Sequence, residues 1–281
     1  MRYLLYNPLS GKGSQAQRDA ECYSTVANLP TKIVAVTEIE NLRTFYDNLE
    51  IGDDVVLFGG DGTLNKAANL LCDSPLQNAI YYYPCGTGND FARDVEITNP
   101  QDLLLVNDYI KDLPTVTVNE KTAKFINGVG YGIDGYCCEV GDALKAQHKM
   151  PNYTSIAIKG LLFHFKPVNA TVTVDGEKFT FKKVWIAPTM FGRYYGGGMM
   201  PTPLQNRNNA DKKVSLMVFH GTSKLKTLMI FPSLFKGEHV KHTEAITILQ
   251  GKNVTVEFDR PTPLQIDGET VLNVSKYTVT V

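Results

Sequence analysis

Long apolar runs are missing from this sequence. Nowhere do 18 or more apolar residues follow one another, so no segment reads as a membrane-spanning helix. Behind Met1-Arg2 the apolar stretch is cut off at Asn7-Pro8, too early for the core of a secretory signal, and the expectation is a cytoplasmic protein. An excess of one charge is also missing. Twenty-eight Lys plus Arg stand against 29 Asp plus Glu, a formal net charge of −1. That leaves no global field to hold a polyanion and argues against a nucleic-acid partner. Cysteine is scarce: Cys22, Cys72, Cys85, Cys137 and Cys138 are odd in number, form no CxxC pair, and read as reduced thiols. Internal repeats and linkers rich in Pro, Gly or Ser are absent, and tryptophan occurs once. What remains is a chain of 281 residues, 43% hydrophobic and 20% charged, which excludes disorder and is long enough for two domains with real cores.

The first hundred residues alternate short strand runs with stretches of helical period: Arg2–Tyr6 then Ser14–Asn28, Lys32–Val36 then Leu42–Leu49, Asp54–Phe58 then Leu64–Cys72, Ala79–Tyr83 then Phe91–Val95. This βαβα rhythm predicts a parallel sheet. From about Thr115, β-branched segments separated by turn signals take over, among them Lys124–Val129, Ala170–Val174, Val214–Phe219, Val254–Phe258, Thr270–Val274 and Tyr277–Val281. Val174-Asp175-Gly176 and Ile266-Asp267-Gly268 supply Asp-Gly hairpin turns, in which both central residues need positive φ. The expected fold class is therefore α/β: an open, Rossmann-like parallel sheet over residues 1–120, then an antiparallel sandwich or barrel over 121–281. The C-terminal strand is a candidate to return to the first domain. Two apolar helix-like stretches, Ser155–Phe165 and Leu225–Phe235, interrupt the second half and read as core packing or as a lid over an apolar pocket.

Three strand-to-helix junctions of the first half are built from glycine and small polar residues: Asn7-Pro-Leu-Ser10-Gly-Lys12-Gly13, Gly59-Gly60-Asp61-Gly62-Thr63, and Pro84-Cys-Gly86-Thr87-Gly-Asn89-Asp90. In a parallel sheet such junctions share the carboxyl edge, where ligands bind. Bare backbone N–H groups at helix N-termini suit phosphate. One glycine turn is explained by corner geometry alone, whereas three side by side favour a polyphosphate. Asp61 and Asp90 beside it suit a water-rich Mg²⁺ site, and Lys12 is the counter-charge. The GxxxxGK[ST] loop and the His-Arg-Asp and Asp-Phe-Gly sets are absent, which excludes P-loop and protein kinases. Gly130-Tyr-Gly-Ile-Asp-Gly135 matches GxGxxG but opens no clear helix in the sequence and does not read as a dinucleotide fingerprint. His239 and His242 have metal-ligand spacing but no third ligand.

In this order, Asn7-Pro-x-Ser-Gly-x-Gly13, Gly59-Gly-Asp-Gly-Thr-Leu-Asn65, Gly86-Thr-Gly-Asn-Asp-Phe-Ala-Arg93, Tyr195-Gly-Gly-Gly-Met199 and Asp267-Gly-Glu269 resemble the diacylglycerol kinase catalytic-domain family of lipid kinases, in its bacterial soluble type. The Gly-Gly-Asp-Gly-Thr turn alone is shared with NAD kinases. The resemblance spans essentially the whole chain and implies a nucleotide-binding α/β domain followed by a β-sandwich domain, with ATP as phosphoryl donor, Mg²⁺ as cofactor and a lipid hydroxyl as acceptor. By position it assigns Gly59, Gly60, Gly62 and Thr63 to the ATP phosphates, with Asn7, Ser10 and Lys12 beside them. Gly86, Thr87 and Asn89 would line the nucleotide site. Asp61 and Asp90 would organise Mg²⁺, with Asp61 also catalytic, and Glu269 would be the general base. Read from the residues alone, Glu269 is equally a solvated hairpin residue.

The sequence departs from the family pattern in three places. Lys66 stands where a Glu is usual, Thr115-Val-Thr-Val118 carries no carboxylate ahead of Phe125-Ile-Asn127, and Pro201-Thr-Pro203 with Asn209-Ala-Asp-Lys212 replaces the usual Ala-Pro and Asp-Asp-Gly pattern after Gly198. The expected protein is a peripheral, cytoplasmic lipid kinase whose partner is a lipid at the membrane surface, with a homodimer left open. An NAD kinase and a catalytically silent nucleotide- or lipid-binding regulator are the alternatives.

Overall fold

Leu4 and Leu5 are neighbours in β1 (Arg2–Tyr6) and point to opposite faces, yet both are fully buried, as in a parallel strand covered on two sides. The computed structural model that shows this describes residues 1–11, 14–72, 75–97 and 102–281. The chain divides into two units, Met1–Leu113 and Pro114–Val281.

In the first unit β1 is followed by α1 (Gln15–Val26), β2 (Thr31–Ala35), α2 (Leu42–Asp47), β3 (Asp54–Gly59), α3 (Asp61–Leu71), β4 (Ala79–Pro84), α4 (Asp90–Asp94), β5 (Leu104–Leu105) and α5 (Asn107–Ile110). The sheet order is β2-β1-β3-β4-β5, with the first four strands parallel and the two-residue β5 antiparallel to β4. Val55 to Phe58 of β3 are all buried, so the centre of the sheet is a continuous apolar run rather than an alternation. Leu64, Ala67, Ala68 and Leu71 form the buried stripe of α3 at helical spacing. The chain leaves β1 toward one sheet edge to make β2 and then crosses to the other side to make β3. The order therefore reverses between β1 and β3, and the crevice beyond their carboxyl ends is the topological switch point of the sheet.

The second unit contains β6 (Thr115–Val118), β7 (Lys121–Lys124), β8 (Gly128–Tyr131), α6 (Ile133–Ala146), α7 (Tyr153–Lys159), β9 (Val168–Val174), β10 (Glu177–Val184), β11 (Thr189–Met190), β12 (Val214–Phe219), α8 (Lys224–Ile230), β13 (Ile246–Gly251), β14 (Asn253–Ile266) and β15 (Glu269–Thr280). These strands build one large, sandwich-like antiparallel sheet. Its main path is β13-β12-β11-β8-β14-β15-β6-β7, with β9 on β14 and β10 on β9. The last strand, β15, lies between β14 and β6 inside this unit.

Strand β14 is shared: Val254–Phe258 pair with β9 and Leu264–Ile266 with β8. Its register against β15 shifts between Glu257 and Leu264, where Pro261 and Pro263 cannot donate to a ladder. Both Asp-Gly turns have the expected left-handed pair, φ 48° and 91° at Asp175-Gly176 and 45° and 92° at Asp267-Gly268. The core gathers Ile133, Leu161, Phe165, Trp185, Phe219 and Ile230, so α6, α7 and α8 pack on it together with the sheet. Trp185 is 1% exposed and donates its indole N–H to the Thr222 carbonyl at 3.3 Å.

Candidate active site

The three glycine junctions meet at the switch point of the first sheet. Asn7, the residue after β1, donates from Nδ2 to Thr63 Oγ1 at 2.8 Å, and Ser10 Oγ lies 3.2 Å from the same hydroxyl. Thr63 reaches this position because Gly59 has no side chain: a β-carbon there would sit 2.5 Å from Thr63 Oγ1. The third junction closes on the second through glycine as well, since a β-carbon on Gly60 would come within 3.0 Å of the Gly86 Cα. Asn89, with φ 51°, ties its own loop shut by accepting the Gly86 N–H and donating to the Gly86 carbonyl, each at 3.0 Å. Thr87 is exposed on that loop. Lys12 lies outside the described residues.

Asp61, the first residue of α3, does a second job. Its Oδ2 accepts the Asp90 N–H at 3.0 Å and its Oδ1 the Phe91 N–H at 2.8 Å, so the carboxylate caps α4 from the neighbouring junction. Asp90 is buried and forms an ion pair with Arg93 at 3.1 Å. Lys66 stands on the exposed face of α3.

This arrangement fits a polyphosphate and its metal. A β-carbon on Gly62, in the first turn of the eleven-residue α3, would meet nothing within 4 Å. That open helix N-terminus, with its dipole, is a cradle for an anion. Among the described residues no group of three or more His, Cys, Asp or Glu is placed to hold a metal by itself.

In the second unit Glu269 is the exposed first residue of β15, opposite Ile266 across the Asp267-Gly268 turn. The turn is rigidly held. The Asp267 carboxylate accepts the N–H groups of Ile126, Asn127 and Gly128 at 2.5, 2.9 and 2.9 Å, and the Gly268 N–H donates to Gln265 Oε1 at 2.7 Å. One residue on, Thr270 Oγ1 donates to Asp142 of α6 at 2.6 Å. Two residues of this constellation escape a sequence reading. Arg207 is buried and donates to the Ile126 carbonyl at 3.3 Å and to Asn127 Oδ1 at 3.2 Å, which fixes the same segment from behind.

Asp134 is the other. The Gly130–Gly135 segment, expected to open no helix, runs from β8 straight into the fourteen-residue α6, and Asp134 lies in the first turn of that helix. Gly132 at φ 113° makes the corner, and a β-carbon on Gly130 would sit 1.5 Å from Asp134 Oδ2. Neither oxygen of Asp134 completes a hydrogen bond, although the Tyr195 hydroxyl and Gln265 Nε2 face it and are themselves unsatisfied. Burial pushes the Asp134 carboxyl up to about 6 against those favourable neighbours. Tyr195 is presented by a loop closed through reciprocal Tyr195–Met199 backbone bonds of 3.0 Å, with Gly196, Gly197 and Gly198 all at positive φ. His239, by contrast, is buried with Nε2 2.8 Å from the Pro201 carbonyl, a structural histidine.

Comparison with known proteins follows the same division. The model of the diacylglycerol kinase catalytic domain matches residues 2–117, and that of the YegS C-terminal NAD kinase beta sandwich-like domain matches residues 127–280. A diacylglycerol kinase of Mycobacterium tuberculosis is 27% identical over 270 residues, covering 90% of this chain and 84% of the relative. A diacylglycerol kinase of Staphylococcus carnosus is 25% identical over 279 residues, covering 95% and 87%. Among solved structures, a diacylglycerol kinase from Bacillus anthracis superposes with a TM-score of 0.60 at 17% identity, over 99% of this chain and 92% of that one, a likeness of fold.

Proposed function

The chain belongs to the diacylglycerol kinase catalytic-domain family, and from that premise we propose that it is an ATP- and Mg²⁺-dependent lipid kinase. The γ-phosphoryl group goes to the hydroxyl of diacylglycerol or a similar long-chain alcohol, at the surface of a membrane that the protein visits peripherally. The observation that carries this reading is the convergence of three glycine junctions on Thr63 and Gly86 at the switch point between β1 and β3. Such a junction with an open helix N-terminus recognises phosphate rather than a base or a sugar.

Phosphoryl transfer asks a protein for positioning and charge neutralisation more than for covalent chemistry. Mg²⁺, when bound, would neutralise charge on the transferring phosphate, and Asp61 and Asp90 are the carboxylates that would hold it. The N–H groups at the start of α3 orient the phosphate oxygens, while Asn7 and Ser10 hold Thr63 against the cradle. Asp61 has a positioning role too, because its carboxylate fixes the start of α4. Glu269 takes the proton of the acceptor hydroxyl. It is exposed to solvent, and the turn anchored by Asp267 limits its wandering.

The test is transfer of labelled phosphate from ATP with Mg²⁺ to a panel of dispersed lipids plus NAD, wild type beside Asp61→Ala. Asp61-dependent label in a lipid supports the reading. Label in NAD alone would make the chain an NAD kinase, and tight ATP binding without transfer would make it a regulator.

A further inference from the structure

The second unit carries a lopsided surface. The chain averages one Asp or Glu in about ten residues, yet residues 143–174 and 212–237 contain none, while they contain nine lysines. Each segment includes short helical elements: α7 runs into a π turn over Gly160–His164, and α8 into a 3₁₀ turn over Phe231–Lys236. Their inner faces share one core, through Ile156 and Leu161 on one side and Ile230 and Leu234 on the other. Their outer faces are joined where Lys224 Nζ donates to the Leu162 carbonyl at 2.9 Å. Apolar side chains nevertheless project from those outer faces into solvent: Phe163 is 73% exposed, Leu225 70% and Met229 74%. Lys159, Lys166 and Lys224 are exposed around them.

We infer that this face, with Phe163, Leu225 and Met229 as its apolar tips and Lys159, Lys166 and Lys224 as its rim, docks the protein onto an anionic lipid bilayer. Single exposed apolar residues need no explanation, but a cluster of them on adjoining elements marks an interaction site. Lys226 of α8 is paired with Glu244 at 2.8 Å, but no ion pair among the described residues engages Lys159, Lys166 or Lys224, and this lysine rim selects the occupant. Large apolar tips enter the acyl boundary while lysines snorkel to lipid phosphates, as in interfacial helices. A cationic rim complements anionic headgroups and gains nothing from a neutral surface. The inference rests on the reading that the acceptor is a lipid, and its test separates the two.

Co-sedimentation of the full chain with phosphatidylcholine vesicles, with and without phosphatidylglycerol, is the experiment. Binding is expected to require phosphatidylglycerol and to weaken with salt. The double variant Phe163→Asp, Met229→Asp is expected to lower partitioning about tenfold or more with an unchanged thermal midpoint, and Lys159→Glu to remove part of the salt-sensitive binding. Ile51→Asp, at a 99% exposed position of the first unit, serves as control and should leave binding alone. Phosphorylation of a short-chain acceptor in free solution should persist in the double variant. Unchanged vesicle binding in the double variant, equal binding to neutral vesicles, or an equal loss in Ile51→Asp overturns the docking face. So does wild-type self-association, abolished by Phe163→Asp, in place of vesicle binding. Patch-dependent binding in a wild type that phosphorylates no lipid would instead overturn the kinase reading and leave the docking face standing.

Discussion

Gly86 and Gly60 meet backbone to backbone: a β-carbon on Gly86 would lie 2.4 Å from the Gly60 Cα and 2.9 Å from Asn89 Oδ1. The Gly60 Cα is backbone and Asn89 Oδ1 is tied to the Gly86 N–H, so the two junctions can approach this closely only while position 86 is glycine. Gly86→Ala is expected to force the second and third junctions apart, at about 1–3 kcal/mol of stability, and to weaken ATP binding. Urea unfolding beside an ATP titration reads both. An alanine variant with wild-type values in the two measurements would show the contact to be dispensable.

Asp61 combines a structural and a proposed chemical task, and graded substitution separates them. In Asp61→Asn one oxygen remains to accept one of the two amides now received from Asp90 and Phe91. In Asp61→Ala both amides lose their acceptor, which costs on the order of 1–3 kcal/mol for each one left buried. Asn is expected to keep most of the stability but little of the turnover, and Ala to lose both. Equal turnover in wild type and Asn would remove Asp61 from the chemistry and leave it a helix cap.

Glu269 offers the opposite combination. It is exposed at the start of β15, so Glu269→Gln is expected to leave unfolding within about 0.5 kcal/mol of wild type. As the base, its loss should lower kcat by roughly 10²- to 10⁴-fold. Single-turnover measurements with ATP and a dispersed lipid would decide, and a variant within twofold of wild type would assign the residue to the solvated rim of the hairpin.

Asp134 makes stability depend on pH in an uncommon direction. Its carboxyl is pushed up to about 6 from an ordinary value of 3.8 by burial, so between those values the folded chain binds more protons than the unfolded one. The associated stability is fully present below about pH 4 and is lost as pH rises through about 6, a difference on the order of 3 kcal/mol. Asp134→Asn should therefore flatten this part of the unfolding profile relative to wild type. Parallel profiles across pH 4 to 7 would mean that the carboxyl is not held in its protonated form by burial.

Much of the first unit is legible in the sequence because glycine and apolar runs there have one structural solution: a continuous run such as Val55–Phe58 needs cover on both faces, and a glycine corner needs a helix behind it. The second unit is harder for identifiable reasons. Helix α6 hides behind Gly132 and Gly135, which weigh against a helix in isolation, whereas in the fold Gly132 makes the corner and Gly135 lets the Pro263 carbonyl approach to 2.1 Å of where its β-carbon would be. Strand β14 looks like a strand broken at Pro261, yet it continues through a register shift because its two halves serve different partners. Likewise, Thr270–Val274 and Tyr277–Val281 read as separate strands but form one, with Asn273 at φ 57° interrupting the regular backbone. The roles of Asp134 and Arg207 arise from burial beside distant segments and leave no local signature.

Because the only tryptophan of the chain, Trp185, is sealed among the aromatic and aliphatic side chains of the second unit, its fluorescence is a private optical channel for that half. Excitation selective for indole follows loosening of the β-rich unit without a direct contribution from the Met1–Leu113 unit, whose phenols include Tyr46 and Tyr82. Far-ultraviolet dichroism sees both halves at once. A gap between the two denaturation curves would reveal the halves melting independently, and coincident curves would reveal a single cooperative transition.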